Sequence, residues 1–304
     1  MQGNDLYIAG ESYAGIYVPK LAKKIDDYIN TKPSGYVPNL KGFLVGNPVT
    51  DYLVDGKPMQ FEMAYWYGLI DDQLYMNVNK NCNLSFYDFD AGLLPQQCRD
   101  WMNTFNSKIS GINLYDFIGK CWIEPQPSSG LNTKTFSVND YTSFAAEAGK
   151  HDHKLEMIPN CVYALPIYYY LNNRTVMDAL HVPSNVTKWD LCQEKGSFLY
   201  TKNRTGSIDI YSQLRGKYRV LVYSGDTDGV VPTYGTKRWI ERLNWPLDQG
   251  KTWKQFMVDG QVGGYSESRD NGKFVFATIH GAGHMAPQWR RSYTYHVVYQ
   301  FIKN

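Results

Sequence analysis

The feature that most constrains this chain is its opening: two short apolar runs separated by a tight turn and an amphipathic helix. Leu6-Tyr7-Ile8-Ala9 reads as a buried strand, and Gly10-Glu11-Ser12-Tyr13-Ala14-Gly15 as the turn that follows it. In the helix, Leu21, Ile25 and Ile29 recur every fourth position between lysines and aspartates, which predicts a buried stripe. Pro19 falls early in that helix, where its missing N–H is better tolerated than deeper inside. Gly42-Phe43-Leu44-Val45-Gly46, closed by Asn47-Pro48, is a second buried strand. Together these form a βαβ unit, the building block of a parallel sheet.

From about Asp55 to Tyr163 the periodicity fades, and Tyr, Asn, Asp and Gly dominate. This stretch is expected to be an insertion of helical hairpins and loops over the sheet. Regular order then returns. Val176, Ala179 and Leu180 mark a helix, and Tyr218–Tyr223 and Phe274–Ile279 two further strands. A closing helix runs near Thr294 to Ile302, with Val297, Val298 and Phe301 on its buried side. The expected organisation is an α/β core at 1–54, a cap insertion at 55–165, and returning core at 166–304.

Composition excludes several classes. A net charge of +2 over 304 residues, without a basic stripe, argues against nucleic acid and anionic membranes as partners. No run of 18 apolar residues occurs, so no transmembrane helix is expected. Met1-Gln2-Gly3-Asn4-Asp5 does not read as a signal peptide. None of the five cysteines lies in a C-x-x-C pair, and His151-Asp152-His153 reads as a solvated loop, so no metal is expected. Four N-x-[ST] sequons, at Asn83, Asn173, Asn185 and Asn203, favour a secretory route when set beside a disulfide-compatible cysteine set.

The chemistry centres on Ser12. It stands where a strand turns sharply into a helix, with Gly10 two residues before and Ala14 two after. Small residues there allow a tight backbone that projects the hydroxyl above the sheet edge, over a helix N-terminus that favours negative charge. An ordinary βα turn with a capping serine is the competing reading. A serine hydroxyl needs a base, and the base a carboxylate to orient it. Both are available at the carboxyl ends of later strands, in the order this fold class requires. Tyr218–Tyr223 leads into Ser224-Gly225-Asp226-Thr227-Asp228-Gly229, and Phe274–Ile279 into His280-Gly281-Ala282-Gly283-His284-Met285. Each loop offers two candidates. Asp226 could simply close a turn, and His280 could be a buried strand-end residue, while Gly-Ala-Gly gives His284 the reach of a base.

These motifs resemble one family, the serine carboxypeptidases and their acyltransferase relatives. Gly10–Gly15 matches its G-E-S-Y-A-G elbow, alanine included, Ser224–Asp228 its S-G-D-x-D loop, and Gly281–Pro287 its G-A-G-H-M-x-P loop. Gly46-Asn47-Pro48, Ala179-Leu180-His181 and Val262-Gly263-Gly264-Tyr265 add further matches between them. The resemblance implies an α/β-hydrolase fold, a mostly parallel sheet flanked by helices with a largely helical inserted cap. It also implies removal of C-terminal residues from peptides through an acyl-enzyme, at acidic pH and without a cofactor.

By the same resemblance Ser12 is the nucleophile, Asp228 the acid and His284 the base. Glu11 would grip the substrate's terminal carboxylate by sharing a proton with it. Tyr13 would supply an oxyanion N–H and, with Val230 and Val231, line the pocket for the residue before the cut, while Met285 lines that for the leaving residue. Cys82 would pair with Cys98 and Cys121 with Cys161. Peptide or protein C-termini are the implied partners, a homodimer a possible assembly, and a secreted, lysosomal or vacuolar location the implied compartment. The family's region ahead of the elbow, with its W-N-G-G-P-G-C segment, a second oxyanion N–H and a partner for Cys192, does not occur in these residues. The chain therefore reads as an N-terminally truncated member, lacking the fold's first strands. Acyl transfer to an alcohol and a non-catalytic role are the alternatives.

Overall fold

The computed structural model describes residues 3–90, 92–119, 165–186, 188–190 and 200–303. Cys121, Cys161, Cys192 and the His151–His153 motif lie outside the described residues. The chain divides into two compact units, one of residues 1–110, 114–118 and 203–304, the other of residues 111–113 and 119–202.

The larger unit is built on a six-stranded sheet in the order β1-β2-β3-β6-β5-β4. β1 (Leu6–Glu11), β2 (Leu40–Gly46), β3 (Arg219–Gly225) and β6 (Phe274–Ile279) are mutually parallel. β5 (Gln261–Arg269) and β4 (Lys254–Val258) extend the sheet antiparallel. The four parallel strands are those the apolar runs predict. β2 and β3 are buried almost throughout, as strands covered on both faces must be.

Alternation along β3 sends its side chains to two cores. Val220 and Val222 join Phe43, Val45, Tyr211 and Trp239 beneath α1 (Ala14–Asn30), α8 (Ile208–Leu214) and α9 (Thr233–Arg242). Leu221 and Tyr223 join Leu44, Ala277, Val297 and Phe301 beneath α11 (Arg291–Lys303), the expected closing helix. Because β1, β3 and β6 run the same way, the segments following them all emerge at one edge of the sheet.

In α1 the buried stripe differs from the one predicted. Val18 and Ala22 are buried and Ile25 and Ile29 pack beside them, but Leu21 is 50% exposed, on a flank with Tyr17 and Tyr28. At 100° per residue, Leu21 lies about 60° round the helix from Val18 and about 100° from Ala22, off the face turned to the sheet. Pro19 leaves the carbonyl of Gly15 without its helical donor, and the Ser207 hydroxyl takes that place at 2.5 Å. Asp26, also on the buried side, accepts from Lys217 at 2.9 Å and Tyr218 at 3.0 Å.

Residues 57–108 are largely helical: α2 (Lys57–Trp66), α3 (Asp72–Asn81), α4 (Phe86–Asp90) and α5 (Gln96–Lys108). They share a core of Phe61, Leu74, Val78, Met102 and Phe105. A disulfide joins Cys82 to Cys98 at the ends of α3 and α5, closing a loop with a sequence separation of 16. In the second unit, α6 (Leu165–Leu171) is followed by α7 (Arg174–Ala179), capped by the Asn173 side chain. No helix among the described residues is long and apolar enough to cross a membrane.

Candidate active site

The elbow owes its shape to close approach. A Cβ on Gly10 would stand 2.4 Å from the Cβ of Ala14, and one on Gly15 2.2 Å from the carbonyl oxygen of Val49. Glycine is thus required at 10 and at 15, and alanine fits at 14 because Gly10 faces it. Ser12 adopts φ of 62°, a left-handed conformation that costs a non-glycine residue about 1–2 kcal/mol. Its backbone is held on both sides: the N–H donates to Gly46, and the carbonyl accepts from Gly15 and Val49. Such an over-determined outlier is the signature of a side chain aimed for a purpose.

The acid and base loops are pressed together at the same edge. A Cβ on Gly225 would meet the carbonyls of Gly283 and Ala282 at 2.2 and 2.3 Å. The Thr227 N–H donates to Ala282 at 3.0 Å. This contact decides which carboxylate serves which imidazole. Asp228 Oδ2 accepts from His284 Nδ1 at 2.7 Å, and Asp226 Oδ2 meets His280 Nδ1 at the same distance. Burial separates the two pairs. The side chains of Asp228 and His284 are 0% and 4% exposed, those of Asp226 and His280 32% and 63%. Asp226 also takes the Gly281 N–H, closing the turn after β6.

Every remaining lone-pair direction of Asp228 is used. Oδ1 accepts the backbone N–H groups of Val230 at 2.7 Å and Val231 at 3.1 Å, and Oδ2 also accepts from Asn47 Nδ2 at 2.8 Å. Asn47 is fully buried and left-handed at φ 44°, and its Oδ1 receives the Gly225 N–H at 3.3 Å. The sequence marked Asn47-Pro48 only as the end of a strand and as part of a motif. Its role is a tertiary one, since 181 residues separate it from Asp228.

A second contributor invisible to periodicity is the segment 114–117. Leu114 accepts from Gly229, Phe117 donates to Thr227, and Tyr115 accepts from His284 N at 2.7 Å, so one short segment staples both loops. The Tyr115 ring lies 5.4 Å from that of His284.

Electrostatics follow from this packing. Burial opposes a charged imidazolium at His284, but the charge and hydrogen bond of Asp228, with the Glu11 charge adding to them, outweigh it and raise the pKa. Burial raises the pKa of Glu11, with the His284 charge opposing and the Asp228 charge adding to the shift. Glu11, adjacent to Ser12, therefore lies within electrostatic reach of both Asp228 and His284. Val231 is buried with Ile16, Val49 and Tyr52, against which Tyr13 and Val230 pack. The Tyr13 and Tyr52 hydroxyls are 2.7 Å apart. Met285, half-buried, starts the short helix α10 (Ala286–Trp289) directly after His284. Asn83, Asn173, Asn185 and Asn203 are all exposed. No group of three or more His, Cys, Asp or Glu among the described residues could hold a metal ion.

A mostly parallel sheet with a strained serine after one strand, and a buried Asp–His pair on the loops after two others, defines an α/β-hydrolase. A family model described as serine carboxypeptidase matches residues 1–304, and the chain belongs to that family. Serine carboxypeptidase-like 33 of Arabidopsis thaliana is 33% identical over 288 residues, spanning 94% of this chain and 58% of the relative. Serine carboxypeptidase 1 of Hordeum vulgare is 31% identical over 315 residues, 94% of this chain and 61% of that one. Among solved structures, a prohormone-processing carboxypeptidase from Saccharomyces cerevisiae, Kex1(delta)p, shares the fold. Its TM-score is 0.65 at 20% identity, covering 99% of this chain and 62% of that one. The chain spans about three-fifths of the length of these relatives.

Proposed function

We propose that this chain carries the catalytic residues of a serine-type carboxypeptidase, which removes C-terminal amino acids from peptides through an acyl-enzyme. The observation that carries the reading is the fully satisfied, buried Asp228–His284 pair at the sheet edge where strained Ser12 emerges. With Asp228 accepting at Nδ1, His284 keeps its proton there and leaves Nε2 as the base. In acylation, His284 Nε2 takes the Ser12 Oγ proton as Oγ attacks the scissile carbonyl. The proton then passes to the leaving amine, and water repeats the sequence to release the shortened peptide. Tyr13, at the N-terminus of α1, would offer an N–H to the oxyanion. Protonated Glu11 would hold the terminal carboxylate, and Val230, Val231, Tyr13 and Met285 would border the two residues flanking the cut. The Cys82–Cys98 disulfide and four exposed sequons support a secretory route.

A fluorophosphonate probe tests the nucleophile directly. Labelling of this chain that is absent in Ser12→Ala is the expected result, followed by release of C-terminal amino acids from blocked dipeptides at mildly acidic pH. Equal labelling of both proteins would remove Ser12 from the mechanism. Labelling with transfer to an added alcohol, but no hydrolysis, would make the chain an acyltransferase instead.

A further inference from the structure

Behind the site lies a carboxyl group that the catalytic reading does not use. Asp55 is fully buried and forms no ion pair among the described residues. Its Oδ2 accepts the N–H groups of Thr50 at 2.6 Å and Asp51 at 2.8 Å. Its Oδ1 has no hydrogen-bonding protein partner, and neither do Thr236 Oγ1 or Trp239 Nε1.

Thr50 and Tyr211 lie near Asp55. A Cβ on Gly235, next to Thr236, would lie 3.1 Å from Asp55 Oδ1. The Tyr211 hydroxyl is turned towards that of Thr50 and feels the Asp55 charge. The Tyr211 and Trp239 rings are 5.1 Å apart. The hydroxyls of this nest can donate to a carboxylate or accept from an acid, so they serve either state; what disfavours the carboxylate is full burial with no cation paired to it among the described residues.

The charges facing the nest point the same way. Asp51, nearest in the chain, is a second acid, and Arg242 on α9 pairs with Asp51 rather than with Asp55. Asp209 on α8 adds further negative potential at Asp51. Tyr211 brings only a neutral phenol, whose own pKa burial raises. Burial pushes the Asp55 carboxyl up to about 8, with the two backbone N–H groups opposing and Asp51 adding to the shift.

Asp55 also closes the turn on which the site is assembled. Within that turn, Asn47 donates to Asp228, the Val49 N–H holds the Ser12 carbonyl, and Tyr52 meets Tyr13. We propose that Asp55 is a positioning residue held as a neutral acid, its Oδ2 closing the 47–55 turn and its Oδ1 carrying the proton. Loss of this proton releases the 47–55 turn that orients Ser12 and Asp228. The positioning role rests on the reading of Ser12 as nucleophile, whereas the neutral state of Asp55 does not.

The sign is opposite to that of a salt-bridged aspartate. A proton held more tightly in the folded chain stabilises it fully below the unfolded pKa, and this is lost as pH rises towards about 8. The test compares the chain with Asp55→Asn, whose oxygen keeps both backbone bonds and whose amide stands in for the acid O–H at every pH. Melting temperatures measured from pH 4 to 8.5 should agree at the acid end. The variant should exceed the native chain by about 5 °C or more at pH 8. A constant offset between the two curves overturns the neutral acid.

Fluorophosphonate labelling of Ser12 across the same range reads the positioning role. The labelling rate should fall at alkaline pH in the native chain and hold in the variant. Curves of one shape in both proteins overturn positioning while leaving the melting result intact. Absence of labelling at every pH removes the nucleophile reading, and the positioning role with it. Should Asp55→Asn not fold, carbon-13 labelling of aspartate carboxyls in the native chain decides the protonation state. A resonance assigned to Asp55 and still protonated at pH 6.5 supports the neutral acid, and ionisation of Asp55 by pH 6 overturns it.

Discussion

Replacing Asn47 tests whether the site is held by its second layer as the hydrogen bonds indicate. Asn47→Ala removes the Nδ2 donor that meets the buried Asp228 carboxylate at 2.8 Å, together with the acceptor for the Gly225 N–H. Loss of a hydrogen bond to a buried charged group costs about 1.5–3 kcal/mol. The backbone adds a separate cost, because φ of 44° suits asparagine and penalises alanine by about 1–2 kcal/mol. Asn47→Ala should therefore lose about 3–4 kcal/mol in urea unfolding at pH 6. Asn47→Gly, which relieves the backbone alone, should recover about 1 kcal/mol of that. With one donor gone, Asp228 attracts the His284 proton more strongly, so the pH at which fluorophosphonate labelling sets in should move upward in both variants. An Asn47→Gly protein within 0.5 kcal/mol of the native one, labelled with an unchanged pH profile, would refute the assignment.

Three further outcomes follow from the same geometry. His284→Ala should abolish labelling of Ser12, while His280→Ala, in the exposed pair, should leave the rate within about twofold; the reverse result would exchange the two histidines. Gly15→Ala forces a methyl to 2.2 Å from the Val49 carbonyl and should lower the melting temperature by several degrees, whereas Gly35→Ala, with nothing within 4 Å, should not. On the proposed reading Glu11 binds the substrate carboxylate only when protonated, so KM for blocked dipeptides should rise as pH climbs through its raised pKa. Glu11→Gln, a neutral donor at every pH, should remove that rise, and an unaltered KM profile would exclude the shared proton.

Much of the framework was legible in the sequence because its signals are local. The buried strands β1, β2, β3 and β6 announce themselves as continuous apolar runs, since both of their faces are covered. The elbow is legible because Gly10, Ala14 and Gly15 are dictated by steric contacts within a few residues of Ser12 and with the end of β2. Strands β4 and β5 were not predicted, and their composition shows why. Several of their side chains face outward, and Gly263-Gly264 interrupts β5 where a Cβ on Gly264 would strike the carbonyl oxygen of Thr278 at 1.9 Å.

What the sequence by itself determined is the fold class, the strained serine, and two loops each holding an aspartate or histidine in duplicate. Spacing and motif favoured Asp228 and His284 over Asp226 and His280, and the tertiary structure supplies the physical difference between the two pairs. The difference is burial, and burial arises from contacts between segments far apart in sequence. Asn47 meets Asp228 across 181 residues, and Tyr115 meets the backbone of His284 from the far side of the chain. The Asp55 nest likewise draws on β2's following turn, α8 and α9, elements that share no local pattern. A charge or a proton is stabilised by everything within a few ångströms of it, and only folding brings those neighbours into range.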